Sequence, residues 1–323
     1  MQKIKWGIIG CGDVCEVKSG PAFNKVNNSE LLAVMRRDLD KANDYAKRHG
    51  VPESYNDYSK IIDHPEINAV YIATPPAYHE VYAIKAIEAG KMVYIEKPVA
   101  LNADSCRNII SAAETHNQKV SVAHYRRALP MFLRIKEIIH NGLLGKVRLA
   151  NIKLYHSLNE NLIASSNENW RVKPGISGGG LFHDLAPHQL DIMYWLFGNP
   201  IHMFGGALNQ TNLYDAPDIN SFEAILKYGV FIHGIWLFNN QYIESEDTCE
   251  IIGDKGKILF SFFRNPKLKI EIEGQITEEI FDFPQNIQLP MIEKVVSYFL
   301  DKDSNPCSLE EALISLKMMD STI

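Results

Sequence analysis

Asp184 and His188 stand four residues apart in the run Gly178-Gly179-Gly180-Leu181-Phe182-His183-Asp184-Leu185-Ala186-Pro187-His188-Gln189-Leu190-Asp191. Four residues make just over one helical turn, so in a helix both side chains project from one face. Histidine titrates near neutral pH, which suits His188 to pass a proton to or from an oxygen. Asp184 could orient that imidazole or hold a hydroxyl. Elsewhere, Tyr94-Ile95-Glu96-Lys97-Pro98 ends a short apolar run. The Lys97 ammonium can stabilise negative charge that develops on a reacting oxygen. Lys97, Asp184 and His188 are therefore the candidate acid–base set. A lone histidine on an amphipathic helix reads first as a core residue, so His188 gains its meaning from this company. His183, Asp184, His188 and Asp191 are also of metal-ligand type. Adjacent His183 and Asp184 point apart on any regular element, so no metal is assigned.

A second cluster points to anion binding. Gly10-Cys11-Gly12-Asp13-Val14-Cys15 follows the apolar run Ile4 to Ile9. Its first two glycines fit the dinucleotide pattern G-x-G-x-x-G/A, while Cys15 departs from the third position. Gly10 permits a tight turn and Gly12 lets the backbone approach a pyrophosphate. The N–H groups of Asp13 and Val14, opening the next helix, would face that anion. The second strand ends in Met35-Arg36-Arg37-Asp38. An acid at that point usually binds the ribose of NAD, whereas a guanidinium grips the 2′-phosphate of NADP. Arg36 and Arg37 favour NADP, with NAD possible; Asp38 could still reach a ribose.

These residues need a frame. Over the first 125 residues or so, apolar runs alternate with helical patterns, the mark of βαβ units and a parallel, doubly wound sheet. Strands are expected at Ile4–Ile9, Leu31–Met35, Ala69–Ala73, Met92–Ile95 and Val120–Ala123, with helices near 40–48, 77–89 and 103–117. From about residue 146 strand-like runs follow one another, which predicts a mostly antiparallel sheet. One helix interrupts it over Leu185–Phe197, and two more close the chain near 287–301 and 308–320. The fold class expected is α/β, with a dinucleotide-binding domain over 1–125 and a substrate-binding, oligomer-forming α/β domain over 126–323. The last helix is expected to pack back on the first domain. The polar, glycine-rich segment 158–180 reads as a mobile active-site loop. Trp170-Arg171 precedes the glycine run and is a candidate for cofactor or substrate contact. Tyr125-Arg126-Arg127 follows the fifth strand, at the sheet edge where open α/β sheets bind ligands.

Composition narrows the classes. The chain has 323 residues and a net charge of −6, and no basic run exceeds a pair, which argues against a nucleic-acid surface. No apolar run reaches the roughly 18 residues of a membrane span. The run Trp6–Ile9 is too short for a signal-peptide core. Five cysteines without a CxxC pair read as reduced thiols of a cytoplasmic protein.

Three segments carry a family resemblance: Glu96-Lys97-Pro98; Ala73-Thr74-Pro75-Pro76 with His79; and the glycine run through Asp184 and His188 to Trp195-Leu196-Phe197-Gly198. With the G-x-G turn, in this order, they resemble the Gfo/Idh/MocA oxidoreductases, the glucose–fructose oxidoreductase and inositol dehydrogenase group. The resemblance covers nearly the whole chain. It implies a Rossmann domain, a C-terminal α/β domain whose sheet mediates homodimers or homotetramers, and relatives that run slightly past the position of Ile323. It implies reversible hydride transfer between NAD(P) and a sugar, polyol or related cyclic alcohol or ketone, without a metal. It places catalysis at Lys97, Asp184 and His188, leaving open which of Lys97 and His188 carries the proton. Cofactor contacts fall at Gly10, Gly12, Asp13, Val14, Arg36, Arg37, Thr74, Pro75, His79, Glu96, Lys97, Trp170 and Arg171. Substrate contacts fall at Lys97, Tyr125, Arg126, Trp170, Asp184 and His188. The peptide before Pro98 is often cis in this group. Two rival readings share the fold: an NAD-retaining glycoside hydrolase, and a catalytically silent nucleotide-binding regulator.

Overall fold

The computed structural model describes residues 3–157, 170–240 and 244–322. Residues 158–169 of the polar segment singled out above lie outside the described residues.

The chain folds into two compact units. The first begins with a six-stranded parallel sheet: β1 (Ile4–Ile9), β2 (Ser29–Met35), β3 (Glu53–Tyr55), β4 (Ala69–Ile72), β5 (Met92–Ile95) and β6 (Val120–Val122). The spatial order β3-β2-β1-β4-β5-β6 is that of a doubly wound nucleotide-binding sheet. β4 is buried at every position, as a central parallel strand covered on both faces must be. The helices are α1 (Asp13–Val17), α2 (Leu39–His49), α3 (Ser59–Ile62), α4 (His79–Glu88) and α5 (Ala103–Thr115). β3 was not legible beforehand: Glu53-Ser54-Tyr55 is a short polar edge strand with no apolar run.

The second unit contains α6 (Pro130–His140), β7 (Val147–Ser157), α7 (Pro174–Ser177) and α8 (Leu181–Phe197). It continues with β8 (Pro200–Leu208), β9 (Ile219–Leu226), β10 (Phe231–Asn240), β11 (Glu246–Gly253), β12 (Gly256–Phe260), β13 (Lys267–Ile272) and β14 (Gln275–Ile280). These eight strands form one sheet, antiparallel except where β10 runs parallel to β7. One face of this sheet is covered by α6, where Phe132 meets Phe260 and Phe262, and by α8, where Phe182 meets Trp236. On the opposite face Phe204 and Phe231 remain exposed. The fold class read from the sequence thus holds.

The chain closes with α9 (Leu289–Phe299) and α10 (Leu309–Asp320). The stretch Pro284–Leu313 belongs to the first unit. There Phe299 packs on Trp6, and the Cys307 carbonyl accepts from the Val122 amide at 3.0 Å. No helix among the described residues is long and apolar enough to cross a membrane.

Candidate active site

Two different demands shape the glycine turn. Gly10 has φ +96°, and a Cβ there would lie 2.7 Å from Thr74 Cγ2 and 2.9 Å from the Thr74 nitrogen. Only glycine fits such a place. Gly12 has φ −102°, open to any residue, and a Cβ there would meet nothing nearer than the Gly10 carbonyl at 4.0 Å. The protein itself therefore does not require glycine at position 12. The first turn of α1 lies next to it, with N–H groups that have no acceptor inside the helix. Thr74 Oγ1 is buried without a hydrogen-bond partner among the described residues. A space that a Cβ would fill, backbone donors and an orphaned hydroxyl together fit the phosphates and ribose of a dinucleotide. Cys15 fills the third position as a small buried residue, its Sγ 3.7 Å from the Gly10 carbonyl. Burial pushes the Cys11 thiol up to about 12 and the Cys15 thiol well above its ordinary value, so neither serves as a nucleophile.

Beyond β2, Arg36 Nη1 donates to the Cys11 carbonyl at 3.4 Å, and Arg37 lies 5.6 Å from the Tyr78 ring centre. Asp38 accepts from the Lys41 amide at 3.2 Å and caps α2. Its carboxylate thus caps the helix start, and Arg36 borders the glycine turn through the Cys11 carbonyl.

β4 and β5 deliver the next residues. Ala73 and Thr74 form the loop over Gly10, and Pro75 follows. His79 is wholly buried, with Nε2 2.7 Å from the Thr74 carbonyl and Nδ1 3.0 Å from the Pro98 carbonyl. Burial lowers its pKa to about 4 against the pull of these carbonyls, and the Lys97 charge acts in the same direction as burial. Glu96 is buried and accepts from Gln288 Nε2 at 2.6 Å, from the Lys97 amide at 3.2 Å and from the Tyr71 hydroxyl. The Lys97–Pro98 peptide is cis. Gln288 and Tyr71 escaped the sequence reading, because Gln288 lies 192 residues from Glu96 and no local pattern links them.

In the second unit, α8 starts at Leu181, one turn before the position expected, and so carries both Asp184 and His188. The glycine run explains the early start. Gly178 ends α7 at φ +96°, and Gly180 opens α8 at φ +78° with Ala216 where its Cβ would be. At Gly179 a Cβ would come within 2.1 Å of His183 Nδ1. The absent side chain leaves room for the His183 imidazole, which burial holds at a pKa of about 4 and hence neutral. Pro187 sits inside α8 and removes the N–H that the His183 carbonyl would otherwise accept.

Arginines hold both carboxylates of α8. Asp184 accepts from Arg171 Nε at 3.1 Å, and Arg171 stacks on Trp170 at 4.5 Å. Asp191 is gripped by Arg127 through Nε at 2.9 Å and Nη2 at 2.7 Å, with both side chains buried. His188 is buried and meets the Phe263 ring edge-on at 5.7 Å. Arg126, also buried, lies 4.6 Å from the centre of that same ring. Asp247 fixes the turn that bears it, accepting from the Phe262 amide at 3.1 Å and the Phe263 amide at 2.6 Å. Phe263 and Asp247 were not foreseen, since an aromatic pair after a strand reads as sheet core. Tyr125 is buried at the end of the first unit's leading segment.

A family model described as "Oxidoreductase family, NAD-binding Rossmann fold" matches residues 4–124. A second, "GFO/IDH/MocA C-terminal domain", matches residues 132–259. The chain is 46% identical to "Oxidoreductase P35" of Formosa agariphila over 98% of each sequence. The chain belongs to the Gfo/Idh/MocA family of oxidoreductases. Among solved structures, a levoglucosan dehydrogenase in complex with NADH superposes with a TM-score of 0.87 at 20% identity, covering 99% of this chain and 96% of that one. A biliverdin reductase from Synechocystis, in complex with biliverdin and NADP+, gives 0.82 at 19% identity, covering 98% and 97%. At such identities these likenesses speak for the fold, which this Gfo/Idh/MocA protein shares.

Proposed function

We propose that the protein is an NADP-preferring dehydrogenase or reductase acting on a CH–OH group of a sugar, polyol or related cyclic alcohol. The observation that carries the reading is the contrast between Gly10, which the fold requires, and Gly12, which it does not. A glycine with no structural demand, beside open backbone donors, is explained by a ligand that must approach the main chain. Arg36, donating to Cys11 at the edge of this turn, supports the 2′-phosphate. Relatives of the same fold bind either NADH or NADP+. One of them acts on levoglucosan, which supports a carbohydrate-like substrate.

A bound nicotinamide would supply the hydride chemistry, uptake from the carbinol carbon in oxidation and delivery to the carbonyl carbon in reduction, held by the glycine turn and Arg36. The chain's own part is proton and charge management. Oxidation of an alcohol releases its hydroxyl proton, and the reverse reaction returns it. Lys97 and His188 each have the chemistry to exchange that proton, and the Lys97 charge stabilises the alkoxide as it forms. Asp184, held by Arg171, is assigned to orienting a substrate hydroxyl. Arg126 and Trp170 are assigned to substrate binding. The five cysteines, all buried and none in a disulfide, fit a cytoplasmic enzyme. The exposed Phe204 and Phe231 on the open sheet face fit a homo-oligomer contact.

A thermal-shift titration with NADP(H) and NAD(H) side by side tests the cofactor assignment. A ligand at about 100 times its Kd adds about 2.7 kcal/mol of stability. The expected result is a larger shift with NADP(H), lost in R36A/R37A. A shift with NAD(H) alone would overturn the NADP preference.

A further inference from the structure

We propose that His79 is a positioning residue for Lys97, tying the loop over Gly10 to the turn that carries the lysine. The imidazole lies wholly inside the first unit as the first residue of α4. One edge meets the Thr74 carbonyl at 2.7 Å and the other meets the Pro98 carbonyl at 3.0 Å. Thr74 is the residue against which Gly10 packs, so one end of this strut reaches the glycine turn. Pro98 follows Lys97 directly, so the other end reaches the proposed reacting group. On the far side of Lys97, the Glu96 carboxylate is fastened to Gln288 and Tyr71. Lys97 therefore sits between two anchored neighbours, one held through its side chain and one through its carbonyl.

Histidine suits this task for a geometric reason. Its ring carries polar atoms on two edges at a fixed separation, whereas glutamine or asparagine presents both of its donor hydrogens from a single nitrogen. A neutral ring has one N–H for two carbonyls, and burial keeps His79 neutral at ordinary pH. Only one of the two contacts is then a hydrogen bond; the other sets an unprotonated ring nitrogen against a carbonyl oxygen, so the ring fixes the spacing of the two loops rather than bonding both. Replacement by an amide keeps at most one of the two contacts; replacement by leucine keeps neither.

The role rests on the reading of Lys97 as a reaction-site residue, yet its test needs no turnover. Full-length wild type, H79Q and H79L would be trace-labelled with acetic anhydride at mildly alkaline pH, and the labelled lysines quantified by peptide mass spectrometry. The expected result is a change of about threefold or more in Lys97 labelling relative to Lys85 and Lys91 in H79L, and a smaller change in H79Q. A merely structural histidine would lower the melting temperature and leave that ratio alone. If H79L does not fold, H79Q decides. A cooperatively folded variant whose Lys97 ratio matches wild type would overturn the proposal. Protection of wild-type Lys97 by NADPH, measured in the same samples, tests the cofactor reading separately.

Discussion

Gly10 and Gly12 stand two residues apart and answer to different forces, and substitution should separate them. G10A forces a side chain to φ +96° and into Thr74, and should cost about 2 kcal/mol or more of stability. G12A meets no neighbour, so unfolding should stay within about 0.5 kcal/mol of wild type while nucleotide affinity falls about tenfold or more. Denaturant melts and fluorescence titration with NADPH read the two effects independently. K97M and H188N should each lower turnover by about a hundredfold or more, with H188N leaving the nucleotide Kd within a few-fold. At this scale the sequence was most legible where chemistry fixes residue type. The glycines, Lys97, Asp184 and His188 stood out because their residue types suit the proposed chemistry and few others would. Asp38 and Glu96 were harder to place. A carboxylate reads the same whether it caps a helix, holds a glutamine or binds a ribose, and only its neighbours in space decide.

α8 is the element on which the second unit's proposed chemistry depends. It carries Asp184 and His188 on one face and is tied back by Asp191 to Arg127. That ion pair is bidentate and almost without solvent, so removing one partner deprives a buried charge of its bidentate counter-ion. R127M should destabilise the protein by about 3–5 kcal/mol in chemical denaturation, and R127M/D191L by clearly less than the sum of the single changes. The helix was foreseen from its apolar spacing and its stop at Gly198. Its first turn was not, because a glycine run signals a break and the sequence does not show that Gly179 makes room for His183. Strands followed the same rule. Long apolar runs such as β10 were legible, while β3 depends on pairing with β2, which local sequence does not encode.

Over the whole molecule, the two units share a sensitivity to acid. His79 in the first and His183 in the second are buried neutral, with pKa values of about 4 against an ordinary 6.5. Their folded-state pKa values are lowered, so the stability they confer is complete above pH 6.5 and is lost as pH falls through about 4. The unfolding free energy should decline across that window, by at most about 1.4 kcal/mol per pH unit for each group, and the melting temperature should fall with it. H183L, with one titrating group removed, should show the shallower decline. The order of strands in both sheets was legible only as a class, parallel then antiparallel. The insertion of β10 beside β7, parallel in an otherwise antiparallel sheet, joins segments far apart in the chain. The measurement that bears most directly on the account is the absorbance of reduced nicotinamide in wild type, K97M and H188N, each mixed with NADP+ or NAD+ and a panel of sugars and polyols. The account predicts that wild type reduces the nucleotide with at least one panel member, faster with NADP+, and that both variants lose that activity while H188N still binds nucleotide. Equal rates in wild type, K97M and H188N would contradict it.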